Sequence, residues 1–132
     1  MPVVSDFTLI RGDSVVTIGD GATLWEATFG TGGRVSSEPA VLMFNVRGLT
    51  EATTNVIVKI NNVEVGQIRP YDGSADSPNN WYTQMIAVGG QELNDGNNEL
   101  QIQAVGWPGA TAGNLFDDFQ LKDVVLFFHQ SA

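Results

Sequence analysis

The sequence predicts an all-β fold: an antiparallel two-sheet β-sandwich (jelly roll) with about nine strands. Turn-forming residues recur at short intervals, with 15 glycines and repeated clusters of Asn, Asp and Gly. Between these clusters, apolar residues alternate with polar ones, as in strands that bury one face. A chain of 132 residues fits one domain, residues 1–132, because a single domain usually spans about 100–200 residues.

The alternation is clearest in residues 99–105. Leu100 and Ile102 share one face of this segment, whereas Gln101 and Gln103 share the other, so we expect the first pair to lie in the core. Similar patterns define the other predicted strands. The full set is residues 3–10, 14–18, 23–29, 40–46, 55–60, 63–68, 81–88, 99–105 and 119–128.

The last predicted strand differs from the others because residues 124–128 are apolar on both faces. We expect Val125 and Phe127 to be core residues. A strand of this kind must be covered on both sides, by the opposing sheet and by a loop or a partner. The sequence therefore predicts an apolar surface that an interface would suit.

Turns and loops follow from the residues between the strands. Asn61-Asn62 suits a two-residue hairpin, since Asn tolerates a positive φ better than most residues. Two longer segments, residues 69–80 and 106–116, lack strand alternation. Loops of this length are usually functional or mobile.

Composition excludes several classes of function. The formal net charge is −9, from six basic and fifteen acidic residues, and this balance disfavours binding to nucleic acid or to an anionic membrane. The chain has no cysteine, so disulfides and thiolate metal sites are excluded. The N-terminus lacks the basic start and apolar run of a signal peptide, and no stretch is long enough for a membrane helix. We expect a soluble protein, with no indication of its compartment.

Three segments carry a resemblance to a known superfamily. They read VIVKINNVEVGQI, QELNDGNNELQIQAV and FDDFQLKDVVLFF. In pattern, residues 55–128 resemble the galactose-binding-like jelly rolls, which include carbohydrate-binding modules that accompany glycoside hydrolases. The resemblance implies a jelly roll that binds sugar or serves a structural role. Asn62 departs from the usual Gly of the turn, and the N-terminal third lacks the acidic strand that some such modules use for calcium.

Catalytic signatures are weak. His129 is the one histidine, and its position after two phenylalanines favours a place at a strand end over membership of a catalytic triad. Asp117 and Asp118 are a tempting pair for glycoside hydrolysis. Adjacent residues of a strand point to opposite faces, however, so these carboxylates would not share a site. The sequence therefore predicts a protein that is not an enzyme.

Aromatic residues in the long loops indicate a ligand site. Tryptophan and tyrosine rings stack on the apolar faces of sugars, while polar neighbours bind the hydroxyl groups. Trp107 fits two roles equally well, a core plug or a ligand platform, whereas Trp25 and Trp81 are expected in the core. The predicted ligand-binding residues are Trp107, Tyr71, Asp72, Asn79, Asn80 and Asn114.

Calcium is the one metal that the sequence favours, since it binds carboxylate and carbonyl oxygens in loops. The candidate ligands are Asp72, Asp76, Asp117 and Asp118. The alternative is that these are solvated acids that keep the protein soluble. No other cofactor is expected.

The leading functional hypothesis is a non-catalytic binding module for carbohydrate, acting through loop aromatics and acidic or amide side chains. The alternative is a structural β-sandwich without a small-molecule ligand, which assembles with copies of itself or with a larger particle. The doubly apolar last strand favours the alternative, because it suits an interface.

Overall fold

A computed structural model describes residues 2–71 and 80–131. They form eleven strands and one short 3₁₀ turn, Gly90–Glu92. The strands are β1 (Val3–Arg11), β2 (Val16–Ile18), β3 (Leu24–Gly30), β4 (Ala40–Arg47), β5 (Val56–Ile60), β6 (Val63–Ile68), β7 (Tyr82–Val88), β8 (Asn97–Gln103), β9 (Gly106–Thr111), β10 (Asn114–Phe116) and β11 (Phe119–Ser131). The predicted all-β class is confirmed.

Two antiparallel sheets make the sandwich. The first sheet has the order β1-β11-β4-β7, with β2 also paired to β11. The second sheet has the order β3-β8-β5-β6. Strands that are neighbours in a sheet are therefore mostly distant in sequence, as in a jelly roll. No helix among residues 2–71 and 80–131 has the length and apolar character needed to cross a membrane.

The core lies between the facing sides of the two sheets. Alternation places Leu42, Phe44 and Val46 of β4 on the inner side of the first sheet. Leu100 and Ile102 of β8 meet them from the second sheet, and both are fully buried, as the alternation predicts. Burial of apolar side chains at about 25 cal/mol per Å² is the main term that stabilises such a sandwich.

The prediction for Phe127 is wrong, because β11 contains a bulge. Its register against β4 shifts between Lys122 and Val125, and Asp123 adopts a φ of 53°. An extra residue in a strand reverses which side chains face inward. Phe127 consequently faces outward, and Val125, although buried, lies outside the core cluster.

The expected count of nine strands is too low, because residues 106–116, which we expected to be a loop, contain two strands. They form the β9–β10 hairpin, which pairs only with itself among the described strands. Nearly every side chain of this hairpin is exposed. Since neither face is buried, no apolar alternation marks it in the sequence.

One end of the sandwich is closed by amide side chains, and we call it the amide end. Asn61 and Asn62 have φ values of 53° and 67°, which confirms the two-residue turn between β5 and β6. The buried Asn98 side chain accepts hydrogen bonds from Asn61 Nδ2 (2.9 Å) and from the Asn94 backbone (2.7 Å). It donates to the hydroxyl of Thr31 (2.7 Å), so strands and turns are bonded together.

The opposite end, which we call the loop end, is where β6 and β8 end. The start of β5 pairs with the end of β6 through Val56 and Ile68. The start of β3 pairs with the end of β8 through Leu24 and Gln103. The segments that follow β6 and β8 therefore leave the sandwich at the same end, as a shared site requires.

Candidate functional site

Trp107 is held by the β9–β10 hairpin and not by the core. Its indole Nε1 donates a hydrogen bond to the backbone carbonyl of Asn114 across the hairpin, at 3.1 Å. A Cβ on Gly109 would overlap the Trp107 ring, so the indole lies directly against the glycine backbone. The side chain is half-buried and is not part of the core cluster.

A concave pocket opens beside this indole, and we call it the hairpin pocket. Its volume is about 320 Å³. It is lined by Glu51, Trp107, Asn114, Phe116, Asp117 and Asp118. The fold thus brings together two of the predicted ligand-binding residues and two of the predicted metal ligands.

Acidic side chains hold the loops around the pocket by accepting hydrogen bonds from backbone N–H groups. Asp117 Oδ2 accepts the backbone N–H groups of Glu51 and Ala52, each at 2.8 Å. Asp118 Oδ1 accepts the backbone N–H of Asp20 at 2.7 Å. Carboxylates that accept backbone N–H groups make strong, charge-assisted bonds, so these acids fix the pocket's frame.

Asp20 completes the frame from the β2–β3 turn. Its Oδ1 accepts the backbone N–H groups of Leu115 and Phe116, at 2.6 and 3.2 Å. Gly19 precedes it without a side chain, and a Cβ there would overlap the carboxylate of Asp118. No local sequence pattern marks Asp20 or Glu51, because their partners lie 66 to 98 residues away in the chain.

Asp117 is buried, and its burial raises the pKa of the carboxyl above the ordinary value of 3.8. The backbone N–H groups of Glu51 and Ala52 act in the opposite direction, while the charges of Glu51 and Asp118 raise the pKa further. The carboxylate is therefore costly to ionise and at the same time well bonded. Together Glu51, Asp117 and Asp118 give the pocket a negative electrostatic potential.

Asp117 and Asp118 lie between β10 and β11, not within a strand. Asp117 bonds to the loop after β4, whereas Asp118 bonds to the turn after β2. The two carboxylates engage different loops, but both line the hairpin pocket. The expectation that they would not share a site is therefore not met, because they lie outside a strand, where adjacent side chains need not point to opposite faces. Among the residues described, no group of three or more His, Cys, Asp or Glu side chains is placed to hold a metal. The candidates Asp72 and Asp76 lie outside the described residues.

A second hollow, which we call the edge groove, runs between β6 and β7. It measures about 880 Å³ and includes Tyr71. The rings of Tyr71 and Tyr82 lie 5.3 Å apart at an interplanar angle of 33°. The hydroxyl of Tyr82 donates to the carbonyl of Arg69 at 2.8 Å. Polar side chains, including Asn55 and Gln84, also line the groove.

The two predicted ligand-binding aromatics line different hollows, Tyr71 the edge groove and Trp107 the hairpin pocket. The loop between β4 and β5 lies between them. Its Leu49 carbonyl accepts the N–H of Tyr71 at 2.7 Å, and two residues later its Glu51 N–H is bound by Asp117. Asn80 is exposed and lines neither hollow. Asn79 lies outside the described residues.

The remaining aromatic predictions have mixed outcomes. Trp25 packs against the core, as expected. Trp81 does not: the cationic groups of Arg47 and Lys122 contact its ring, each 4.5 Å from the ring centroid. His129 lies within β11, where its Nδ1 is 2.9 Å from the carbonyl oxygen of Pro39.

No protein-family model and no curated protein matches the sequence. Solved structures, in contrast, share its fold. A family 35 carbohydrate-binding module from Clostridium thermocellum matches over 93% of this chain and 98% of its own, at 13% identity and a TM-score of 0.53. The jelly-roll sandwich is thus confirmed, with carbohydrate-binding modules among its structural neighbours.

Other matches are domains of much larger proteins. A β-porphyranase of glycoside hydrolase family 86 from the human gut bacterium Bacteroides plebeius has a TM-score of 0.56 at 13% identity, with 97% of this chain and 21% of the enzyme covered. Latent PorU from Porphyromonas gingivalis has a TM-score of 0.65 at 8% identity, with 99% and 13% covered. This chain therefore spans about a fifth of the hydrolase and less of PorU.

Proposed function

We propose that this domain is a non-catalytic carbohydrate-binding module and that the hairpin pocket is its sugar site. The observation that carries the proposal is the placement of an indole, an amide and carboxylates around one hollow at the loop end. Sugar-binding sites combine an aromatic surface with a small number of polar groups that fix orientation. The fold shared with a family 35 carbohydrate-binding module supports it.

Trp107 supplies the aromatic surface. Its indole N–H is occupied by the carbonyl of Asn114, and Gly109 supports part of the ring. The ring is thereby fixed before a ligand arrives. A fixed ring loses little conformational entropy on binding, and such preorganisation favours affinity.

The charge of the pocket selects the class of sugar. Glu51, Asp117 and Asp118 are hydrogen-bond acceptors when ionised, so they suit the hydroxyl groups of a neutral glycan. A sulfate or uronate group would meet like charge at short range, in a chain of net charge −9. We therefore propose neutral oligosaccharides as the ligands, with affinities in the millimolar to micromolar range, about −4 to −8 kcal/mol.

A non-catalytic role follows from how the acids are used. Asp117 binds two backbone N–H groups of one loop, and Asp118 binds a backbone N–H of another. Hydrolysis of a glycosidic bond needs two carboxyl groups directed at the same bond. Here the two acids hold loops in place, which is a positioning role.

The test is a screen on neutral and anionic glycan arrays, followed by calorimetry with the best ligand. Trp107→Ala should abolish binding, while the melting temperature changes little because the ring is outside the core. Trp81→Ala is the matched control, since it removes a half-buried indole away from the hairpin pocket. Equal loss of binding in both variants, or binding of sulfated glycans only, would contradict the proposal.

Calcium binding at Asp117 and Asp118, together with Asp72 and Asp76, is a separate proposal. It is supported by the electronegative pocket and by the preference of calcium for oxygen ligands. An ion that binds only the folded state raises the melting temperature as its concentration increases. We expect such a rise in millimolar calcium relative to chelator, and identical melting curves would refute this proposal.

A further inference from the structure

The outer side of the first sheet is apolar and open. Phe7, Leu9, Met85 and Phe127 are exposed to 62%, 61%, 67% and 42% of their full surface. Monomeric soluble proteins seldom expose several large apolar side chains side by side. This is the apolar surface that the composition of the last strand predicts, and the described chain leaves it uncovered.

Strand register places these side chains in two continuous rows. Phe7 lies opposite Phe127, whose other neighbour is Val41, and the two phenylalanine rings are 6.2 Å apart. In the next row, Leu9 lies opposite Val125. That row continues through Met43 to Met85. We call these residues the outer apolar face: Phe7, Leu9, Val41, Met43, Met85, Val125 and Phe127.

The charges beside this face differ from those of the chain as a whole. Arg47 and Lys122 contact the Trp81 ring next to it, and they are two of only six basic residues in a chain of net charge −9. The Asp123 carboxylate accepts a hydrogen bond from Asn45 at 3.0 Å. The polar groups next to the apolar rows thus include two cations, both in contact with the Trp81 ring, and one acid whose carboxylate is bonded to Asn45.

We propose that the outer apolar face is an interface between two copies of this chain. The face of a twisted four-stranded sheet is best complemented by another sheet, since two sheets pack face to face with their strand directions about 30° apart. This chain itself carries such a sheet. A two-fold axis would place the face of one copy on the same face of the other, which makes the contact self-complementary.

The area available agrees with a weak dimer. With roughly 200 Å² for a full large side chain, the four most exposed residues offer on the order of 450 Å² of apolar surface. Two copies would then bury about 900 Å² plus a polar rim, near the lower end of specific interfaces at about 1,200 Å². A dimer in the micromolar range is the expected consequence.

Sedimentation velocity over a range of protein concentrations tests the proposal with the chain as it stands. The wild type should shift from monomer to dimer as concentration rises. Met85→Glu should raise the dissociation constant at least about tenfold, because a charge buried in an apolar interface without a partner is strongly disfavoured. Met85 is exposed in the monomer, so the variant should fold, and its melting curve at low concentration checks this.

Ile57→Glu is the matched control. Ile57 is 41% exposed, but it lies on β5 in the other sheet, so the variant should dimerise like the wild type. A wild type that stays at the 14.2 kDa monomer mass at millimolar concentration would overturn the proposal. So would an equal effect of Ile57→Glu and Met85→Glu, since the association would then not involve a specific face.

Discussion

The two ends of the sandwich use polar side chains in opposite ways. At the amide end, Asn98 and Asn61 bond to each other and to the surrounding turns. At the loop end, Asp117 and Asp118 bond to backbone groups of separate loops. Those bonds hold a pocket open next to Trp107. One end is therefore built for stability, and the other combines stability with an accessible surface.

The two ends differ in the free-energy cost of burying their polar side chains. Asn98 is neutral and buried, with both donor and acceptor atoms bonded, so a closed network costs little. Asp117 is a buried acid, and its charge is costly to bury even with two N–H partners. The loop end thus keeps a buried carboxylate that costs stability, at a place where the pocket needs a hydrogen-bond acceptor. We expect substitutions at the two ends to separate stability from binding.

The largest effect is expected at the amide end. Asn98→Ala should lower the free energy of unfolding by about 2–4 kcal/mol, because it leaves several buried polar groups without partners. Urea denaturation measures this change. Asn97→Ala is the control, since the neighbouring Asn97 is exposed and should change stability by less than about 0.5 kcal/mol. Glycan binding at the opposite end should survive in both variants.

A smaller loss is expected at the loop end. Asp117→Ala removes the acceptor of the Glu51 and Ala52 N–H groups and should cost about 1–3 kcal/mol. Binding should fall as well, because the loop after β4 lines the pocket. If Asp117→Ala proves more costly than Asn98→Ala, the amide end is not the more stabilising of the two.

Asp117→Asn sharpens the comparison through pH. Since the folded-state pKa of Asp117 is raised above 3.8, its contribution to stability is present at acidic pH and is lost as pH rises through the folded pKa. The Asn variant does not titrate. Its free energy of unfolding should therefore increase relative to wild type as pH rises from about 3 through the raised value. A change in the reverse direction would show that the backbone hydrogen bonds outweigh burial.

The smallest effect on stability, with a clear effect on binding, is expected at Gly109. A Cβ there would overlap the Trp107 ring, so Gly109→Ala should displace the indole and weaken glycan binding. Gly106→Ala is the control, because its Cβ would meet only ordinary contact at 3.6 Å from the Leu115 carbonyl. Both variants should unfold within about 0.5 kcal/mol of wild type. Calorimetry and thermal melting distinguish the two outcomes.

Local sequence signals predict most of the fold. The Asn61-Asn62 turn and the burial of Leu100 and Ile102 follow from chemistry within a few residues. Trp81 shows where alternation is ambiguous. Trp81 shares the phase of Met85, and alternation alone permits that phase in the core. In the structure this phase faces outward. Alternation could not show this, because both sides of the sheet carry apolar residues.

The site could be predicted only in part. Trp107 and Asn114 stand out as loop residues, and the structure places them at one pocket. The hydrogen bonds that shape the pocket join Asp20 to Leu115 and Asp117 to Glu51. Contacts at such sequence separations depend on how the strands are arranged, and no local pattern records them.

Asp123 has a consequence for how the chain finds its final pairing. A strand that is apolar on both faces can pair in two registers that bury similar amounts of apolar surface, because a shift by one residue exchanges apolar side chains for other apolar side chains. The information that distinguishes them is polar. The Asp123 N–H donates to the Gly12 carbonyl at 2.8 Å and its carboxylate accepts from Asn45, so these polar bonds favour the observed register of β11 over one that is shifted by a residue.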